Sequence, residues 1–232
     1  MTEQLRLSYQ VDSHWRLDLA VPRVEIETER DTPTGEFSRE IEGLGDISLL
    51  ATLSPWASED GTFLAGAALI VGLKLPTGDE ADDVDLTNPT PPSLLQEGTG
   101  TWDPILGYRL AFHEGAFHIV HSTAAQITGG ASDIGFEPGS VLITRLGAST
   151  TLCGSVSMGL SLEGEFRDQD RLLGRAIPST GSSIWSIMPS LTVEPASGVE
   201  IGIAVRVPIY YNVHGTQLVP GEYVAFSVAV RF

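Results

Sequence analysis

Cysteine, basic residues and long apolar runs are all scarce in this chain of 232 residues. Its one cysteine, Cys153, excludes an internal disulfide framework and any zinc or redox site built on Cys-x-x-Cys. Only 13 residues are basic against 30 acidic, a formal charge of −17, so there is no basic stripe to bind a nucleic acid. The longest apolar stretch, residues 64–73, is interrupted by glycines and too short for a membrane-spanning helix.

The amino terminus lacks the features of an export signal. Met1 leads into Thr-Glu-Gln, without a basic segment or an apolar segment after it. We therefore expect one domain over residues 1–232, belonging to an exported protein whose signal peptide is absent from this chain. In one interpretation an upstream strand is absent with it.

Helical periodicity is also missing, and apolar residues alternate with polar or small ones instead. In residues 199–211 every second side chain from Val199 to Tyr211 is apolar, whereas the intervening face begins at Glu200 and ends at Asn212. The same pattern recurs in residues 5–21, 63–75, 102–113, 156–167 and 185–194. Such alternation predicts strands with one apolar and one polar face, several of them about twice the usual globular length.

Short and long connections alternate along the chain. Tight turns are expected near residues 12–13, 58–61, 114–116, 152–154 and 196–198, and long polar loops at 27–42, 78–98, 129–139, 168–181 and 212–221. This arrangement is typical of a barrel in the bacterial outer membrane. The predicted fold is an all-β, antiparallel up-and-down transmembrane β-barrel of 10–12 strands. A soluble β-sandwich is the alternative.

The strand count is the uncertain part of this prediction. Eleven strands can be read from the sequence, whereas bacterial single-chain barrels close on even numbers. Twelve strands in the native form is our first interpretation, and ten with a bent first hairpin is the second. The alternation shifts next to Pro22, which predicts a β-bulge because proline cannot donate to the ladder.

The C-terminal strand resembles a general outer-membrane signature, and three further segments resemble a particular family. Residues 222–232 form an apolar face that ends on Phe232, similar to the C-terminal signature read by the outer-membrane assembly machinery. Gly43-Leu44-Gly45-Asp46, the segment from Leu73 to Gly78 and the segment from Gly98 to Pro104 resemble the outer-membrane "transporter" family named for the meta-pathway of phenol degradation. The resemblance implies an outer-membrane barrel that takes up small apolar or aromatic compounds.

Charged residues on the polar faces are the candidate solute contacts. If the apolar faces meet lipid, the opposite faces line the interior, because charges are costly in the lipid-facing band. Two interpretations remain open: a polar constriction that selects the solute, or a lumen closed by ion pairs. The candidates are Arg16, Asp18, Asp46, Lys74, Asp103, Arg109, Glu163, Glu165, Arg167, Glu200 and Arg206.

Enzyme chemistry, cofactors and metal sites are not expected. No G-x-S-x-G elbow occurs, although Ser-His lipases on outer-membrane barrels keep that alternative open. His118 and His121 fall on opposite strand faces, which argues against a two-histidine metal site between them. The acidic segment of residues 79–85 lacks the spacing and glycine of a calcium-binding EF-hand loop.

The expected function is passive passage of small, hydrophobic or aromatic, molecules through the outer membrane. Expected partners are the lipid bilayer, lipopolysaccharide, a small solute and, through Phe232, the barrel-assembly machinery, with no nucleic acid among them. A structural or partner-binding barrel in a larger cell-surface assembly is the alternative. The oligomeric state is open.

Overall fold

The computed structural model describes residues 2–32, 35–57, 64–79, 98–114, 116–215 and 221–230, which contain strands and turns and no α-helix. Phe232 and residues 80–97 of the second acidic loop lie outside the described residues. The strands are β1 (Thr2–Gln10), β2 (Trp15–Thr32), β3 (Gly35–Leu44), β4 (Ser48–Ala57), β5 (Leu64–Lys74), β6 (Asp103–Glu114), β7 (Phe117–Gln126), β8 (Phe136–Glu137), β9 (Val141–Cys153), β10 (Val156–Arg167), β11 (Arg171–Leu172), β12 (Arg175–Ala176), β13 (Ser182–Ala196), β14 (Val199–Val213) and β15 (Tyr223–Val230).

Twelve strands form one antiparallel sheet in which neighbours along the chain are neighbours in space. The order is β1-β2-β4-β5-β6-β7-β9-β10-β13-β14-β15, and β3 pairs with the C-terminal half of the long strand β2. Because β3 and β4 pair with successive parts of the same edge of β2, they count as one strand position, and the sheet is eleven strands wide. This confirms the predicted all-β, up-and-down antiparallel class and the reading of eleven strands.

The first and last strands, β1 and β15, are not paired with each other in the described part of the chain. Every residue of β15 is exposed, those on its polar face included, as expected for the free edge of a sheet. The predicted even-numbered closure is therefore not seen. An additional upstream strand stays a prediction.

The predicted bulge beside Pro22 is present, but the extra residue lies on the partner strand. Ala20 pairs with Ser48, whereas Arg23 pairs with Leu44, so three steps along β2 match four steps opposite. The backbone N–H of Gly45 donates to the Pro22 carbonyl at 2.8 Å across this irregularity. Bulges re-aim the side chains next to them, and this one contains Asp46.

Three of the predicted long loops carry strand structure. Residues 27–42 continue the β2–β3 hairpin beyond the main sheet, since pairing runs without interruption from Arg23↔Leu44 to Thr32↔Gly35. Segments of the loops at 129–139 and 168–181 form a small second sheet in the order β12-β11-β8. These loops looked unstructured because their strands are only two residues long or too polar to show an apolar face.

The two faces of the main sheet differ sharply in composition. One exposes rows of large apolar side chains, such as Phe226 (76% exposed), Val228 and Leu160, and we call it the outer face. The opposite inner face carries the charged residues, of which Asp103 and Glu163 are buried. Because an outer face without cover suits hydrocarbon and not water, this division is typical of a membrane barrel.

One sector of the outer face, on β6, β7 and β9, is polar. The hydroxyl of Thr123 lies 3.0 Å from that of Thr144, which lies 3.3 Å from Nε2 of His121. The rings of Tyr108 and His121 meet edge to face with centroids 5.5 Å apart. Their polar groups satisfy one another within the sheet, as groups facing lipid require.

The alternation predicted to run unbroken to Tyr211 is wrong at its end. Trp185 pairs with Tyr210, but Ser186 pairs with Pro208, so β14 bulges around Ile209. Tyr211 consequently pairs with the inward residue Ile184 and shares its face. Among the described residues, no helix is long and apolar enough to cross a membrane.

Candidate lumen-lining site

Strand register shows which inner-face side chains form rows, because residues paired directly across antiparallel strands share a face. One row runs from Arg16 through Ile70 and Ile143 to Glu165 and Ile184. The neighbouring row contains Arg109, Ser122, Arg145, Glu163 and Ser186. The inner face is thus a set of aligned rows, one of which mixes charged and apolar side chains while the next is polar and charged.

Lys74, at the end of β5, is the centre of a buried ion cluster. Its Nζ lies 2.7 Å from Oδ2 of Asp46 and 2.9 Å from Oδ2 of Asp103, and all three side chains are buried. Its ammonium group also contacts the hydroxyl of Thr99, which lies 3.1 Å from the Thr101 hydroxyl. We call Asp46, Lys74, Thr99, Thr101 and Asp103 the Lys74 cluster.

The two carboxylates of the Lys74 cluster are satisfied by further donors. Asp46 accepts from the backbone N–H groups of Gly78 (3.1 Å) and Thr99 (2.9 Å). Asp103 accepts from Nε2 of Gln126 at 2.9 Å and from the backbone N–H of Gly129 at 3.2 Å. Such complete pairing is what two buried carboxylates need, since each uncompensated charge in the interior costs several kcal/mol.

The Lys74 cluster explains the three short motifs around Asp46, Lys74 and Asp103. The glycines of the second and third motifs, Gly78 and Gly98, meet backbone to backbone: a Cβ on Gly78 would lie 2.7 Å from the Gly98 Cα. A Cβ on Gly98 would lie 2.7 Å from Oδ1 of Asp46. The motifs therefore hold Gly78 and Gly98 together against the wall, where the backbone N–H groups of Gly78 and Thr99 donate to Asp46.

Arg206 on β14 is the centre of a second inner-face network. One of its terminal nitrogens lies 3.2 Å from Oε1 of Glu163 and 3.2 Å from Oε2 of Glu165, and its Nε donates to the Ser186 hydroxyl at 3.1 Å. Arg145 donates from Nε to the other oxygen of Glu163 at 3.0 Å. We call Arg145, Glu163, Glu165, Ser186 and Arg206 the Arg206 cluster.

The Arg206 cluster differs from the Lys74 cluster in charge and exposure. It joins two guanidinium groups to two carboxylates, whereas the Lys74 cluster joins one ammonium group to two. Glu163 and Arg206 are buried, but the side chain of Arg145 is 47% exposed. The guanidinium of Arg206 also lies 5.7 Å from the ring centroid of Tyr223, a cation–π distance. Arg145 therefore has donors free to face the interior space.

The remaining predicted residues are dispersed. Arg16 donates from Nε to Asp18 at 3.0 Å, and Asp18 also accepts from the Ser8 hydroxyl at 2.5 Å. Arg109 is exposed on the inner face of β6, and Glu200 is exposed near the start of β14. All eleven predicted residues thus lie on the inner face or at its bulge, and their contact with a solute stays a prediction.

Arg167 belongs to a different feature, a cavity of about 520 Å³ under the small second sheet. Arg171, Asp168, Glu137 and His214 also line this cavity. Phe136, which is fully buried, begins the strand that covers it. The loops at this end of the sheet therefore form a polar chamber at the rim.

Sequence reasoning missed Arg145 and the apolar part of the inner face. The apolar inner residues include Leu50, Ile70, Ile105, Val120, Val141, Ile143 and Ile184. In residues 141–146 apolar side chains occupy both faces, so no alternation marks Arg145 as inward. The inward position of Arg145 is shown by its pairing with Ser122 and Glu163, and this pairing is known only from the register of the strands.

The first short turn brings a serine and a histidine together without the geometry of a catalytic triad. Ser13 Oγ lies 2.9 Å from Nδ1 of His14 in the first short turn, but Asp12 accepts from the backbone N–H groups of His14 and Trp15 and not from the ring. This is the hydrogen bonding of a turn. Within the described ranges, no group of three or more His, Cys, Asp or Glu side chains is placed to hold a metal ion.

Comparison with solved structures identifies the fold. An outer-membrane channel from Pseudomonas putida F1 matches with a TM-score of 0.73 at 14% identity, covering 98% of this chain and 80% of that one. The chain thus has the fold of an outer-membrane channel. No protein-family model matches it. No curated protein matches it either. Membership of the phenol-degradation family therefore stays a prediction.

Proposed function

We propose that this protein is an outer-membrane channel for passive passage of small apolar or aromatic molecules. The observation that carries the proposal is the division of the sheet into an uncovered apolar outer face and an inner face of paired charges. That division suits a wall between hydrocarbon and an aqueous or solute-filled interior. The fold shared with the Pseudomonas putida outer-membrane channel supports the same function and location.

The chemistry of the inner face supports the apolar solute class. Beside its two ion clusters the inner face carries the apolar side chains of Leu50, Ile70, Ile105 and Ile143, and Ile143 is 41% exposed. Apolar side chains next to few polar groups are the usual composition of a site for a small organic molecule. Arg109 and Arg145, on one row with Ser122 between them, supply polar contacts for a hydroxyl or carboxylate on the solute.

Flux measurements test this function. Probe-loaded vesicles that contain the purified protein should release a neutral aromatic probe faster than probe-loaded vesicles without protein do. Ile143→Ser, on the inner face, should slow release several-fold, because the wall then binds the ring less well. Leu142→Ser, one residue away on the outer face, is the matched control and should leave release per folded molecule unchanged. Equal effects of the two variants would contradict an apolar inner pathway.

A structural barrel is the second candidate, and the dense pairing of the Arg206 cluster favours it. Ion pairs across four adjacent strands hold a wall together whether or not anything passes. Conductance in planar bilayers and the flux assay together separate the candidates. A folded protein with neither ion current nor probe flux supports the structural role. We propose the lipid bilayer with its lipopolysaccharide as partner in both cases.

A further inference from the structure

Two histidines face each other across the β6–β7 hairpin at the short-turn end of the sheet. His113 pairs directly with His118, and their Nδ1 atoms are 3.2 Å apart. The ring centroids are 4.6 Å apart with the planes inclined at 60°. His118 and His121 lie on opposite faces of β7, as the alternation predicts, but His113 and His118 are not scattered as the sequence suggested, because the register makes them direct partners.

The register places both rings on the inner face. His113 lies four residues from Arg109 along β6, and His118 lies four residues from Ser122, the partner of Arg109 in the inner row. An even spacing along a strand keeps side chains on one face. On its other side His118 pairs with Ser149 of β9. The pair is partly exposed, so water reaches it from the space that the inner face bounds.

The distance between the nitrogens fits a particular metal geometry. Zinc binds imidazole nitrogen at about 2.0–2.1 Å with tetrahedral angles, which places two ligand nitrogens ~3.3 Å apart. Adjacent ligands of a square-planar copper(II) ion at similar bond lengths would be only ~2.9 Å apart. The observed 3.2 Å is close to the tetrahedral value, so the hairpin holds the two nitrogens where a zinc ion needs them.

We propose that His113 and His118 form a two-histidine Zn²⁺ site at the short-turn end of the inner face, with water completing the coordination. In the absence of metal the same atoms share one N–H···N hydrogen bond, in which one ring donates from Nδ1 and the other accepts. When zinc binds both Nδ1 atoms, that proton moves through water to Nε2 of the same ring, so both imidazoles coordinate as neutral ligands. The site does not depend on the transport function proposed above.

Zinc titration of the untagged, full-length protein in detergent micelles tests the site. Calorimetry with ZnCl₂ should show one site per chain, and His113→Asn or His118→Asn should each weaken it by about tenfold or more, because the second imidazole then no longer acts at high effective concentration. His14→Asn, in the exposed first turn, and His121→Asn, on the outer face, are the matched controls and should leave the affinity unchanged.

A spectroscopic readout separates the site from incidental binding. X-ray absorption at the zinc edge should show two imidazole nitrogens in the wild type and fewer in either inner-face variant. Zinc should also raise the thermal unfolding temperature of the wild type and not that of the double variant. The proposal is overturned if the double variant, shown to be folded by its circular dichroism, binds zinc as the wild type does. It is equally overturned if only a single imidazole is seen in the wild type.

Discussion

Lys74 and Asp103 are direct partners across β5 and β6, and their charged atoms lie 2.9 Å apart inside the wall. The pair joins two strands whose connection includes the segment 79–97, and Asp46 adds a third strand end at the bulge. A single ammonium group thus compensates two buried carboxylates. We expect the stability of the wall to depend on this cluster and on the Arg206 cluster.

Removing the Lys74 charge should strongly destabilise the protein. In Lys74→Met the carboxylates of Asp46 and Asp103 stay buried without their cation, which should lower the free energy of unfolding by about 3–5 kcal/mol. Urea unfolding in lipid vesicles measures the change. Arg109→Met, which removes an exposed inner cation, is the control and should cost less than about 1 kcal/mol. Equal losses would show that Lys74 is not a buried partner.

Substitution of Glu163 should cost more stability than substitution of Glu165, although both carboxylates contact Arg206. Glu163 is buried and shared by two arginines, so Glu163→Gln should cost about 3–5 kcal/mol of unfolding free energy. Glu165 is more exposed and contacts only Arg206 among the pairs described, so Glu165→Gln should cost about 1 kcal/mol. The same urea titration compares them, and the reverse order would contradict the geometry of the Arg206 cluster.

The close approach of Gly78 and Gly98 should not tolerate a side chain. A Cβ at position 98 meets the Gly78 carbonyl and Oδ1 of Asp46, so Gly98→Ala should destabilise the protein by about 1–3 kcal/mol. Gly221→Ala is the control, because nothing lies within 4 Å of a Cβ at that position. Thermal unfolding followed by gel mobility checks both variants, and a neutral Gly98→Ala would show that the backbone contact is loose.

Asp12 in the first short turn should make stability depend on pH. Hydrogen bonds from the backbone N–H groups of His14 and then Trp15 hold the pKa of this carboxyl below its ordinary value of 3.8. A lowered folded pKa means that the stabilisation is complete above the unfolded pKa and is lost as pH falls through the folded one. The stability difference between wild type and Asp12→Ala should therefore be constant at neutral pH and shrink below pH 3.8. A difference that grows on acidification would contradict this.

The strands themselves could be predicted because alternation is a local signal. Leu160 and Glu163 are an odd number of residues apart in one strand, so they point to opposite faces. This follows without knowledge of any neighbouring strand. The loops near Phe136 and Arg171 could not be predicted, because strands of two residues carry no period. The bulge at Ile209 also escaped prediction, since only pairing with Ser186 shows that Tyr211 has changed face.

The sequence predicted most residues of the candidate site, but not which of them lie together in the Lys74 cluster and the Arg206 cluster. Asp46, Lys74 and Asp103 were found as separate inward charges, and their meeting depends on a bulge and on register. Arg145 and Ile143 were missed because their strand is apolar on both faces. The pairing of His113 with His118 follows from the length of a turn, and the spacing of the two residues alone does not fix it.

The most direct test of the account is the environment of two adjacent residues, Leu160 and Ser161. In a Cys153→Ser background, spin labels attached after Leu160→Cys and after Ser161→Cys are compared in lipid bilayers by their collision rates with oxygen and with a water-soluble nickel complex. If the apolar face meets lipid, the label at 160 collides more with oxygen, as lipid-facing sites do, and the label at 161 collides more with the nickel complex. A label at 160 shielded from lipid, with the label at 161 facing the bilayer or both in bulk water, would contradict the assignment of the two faces.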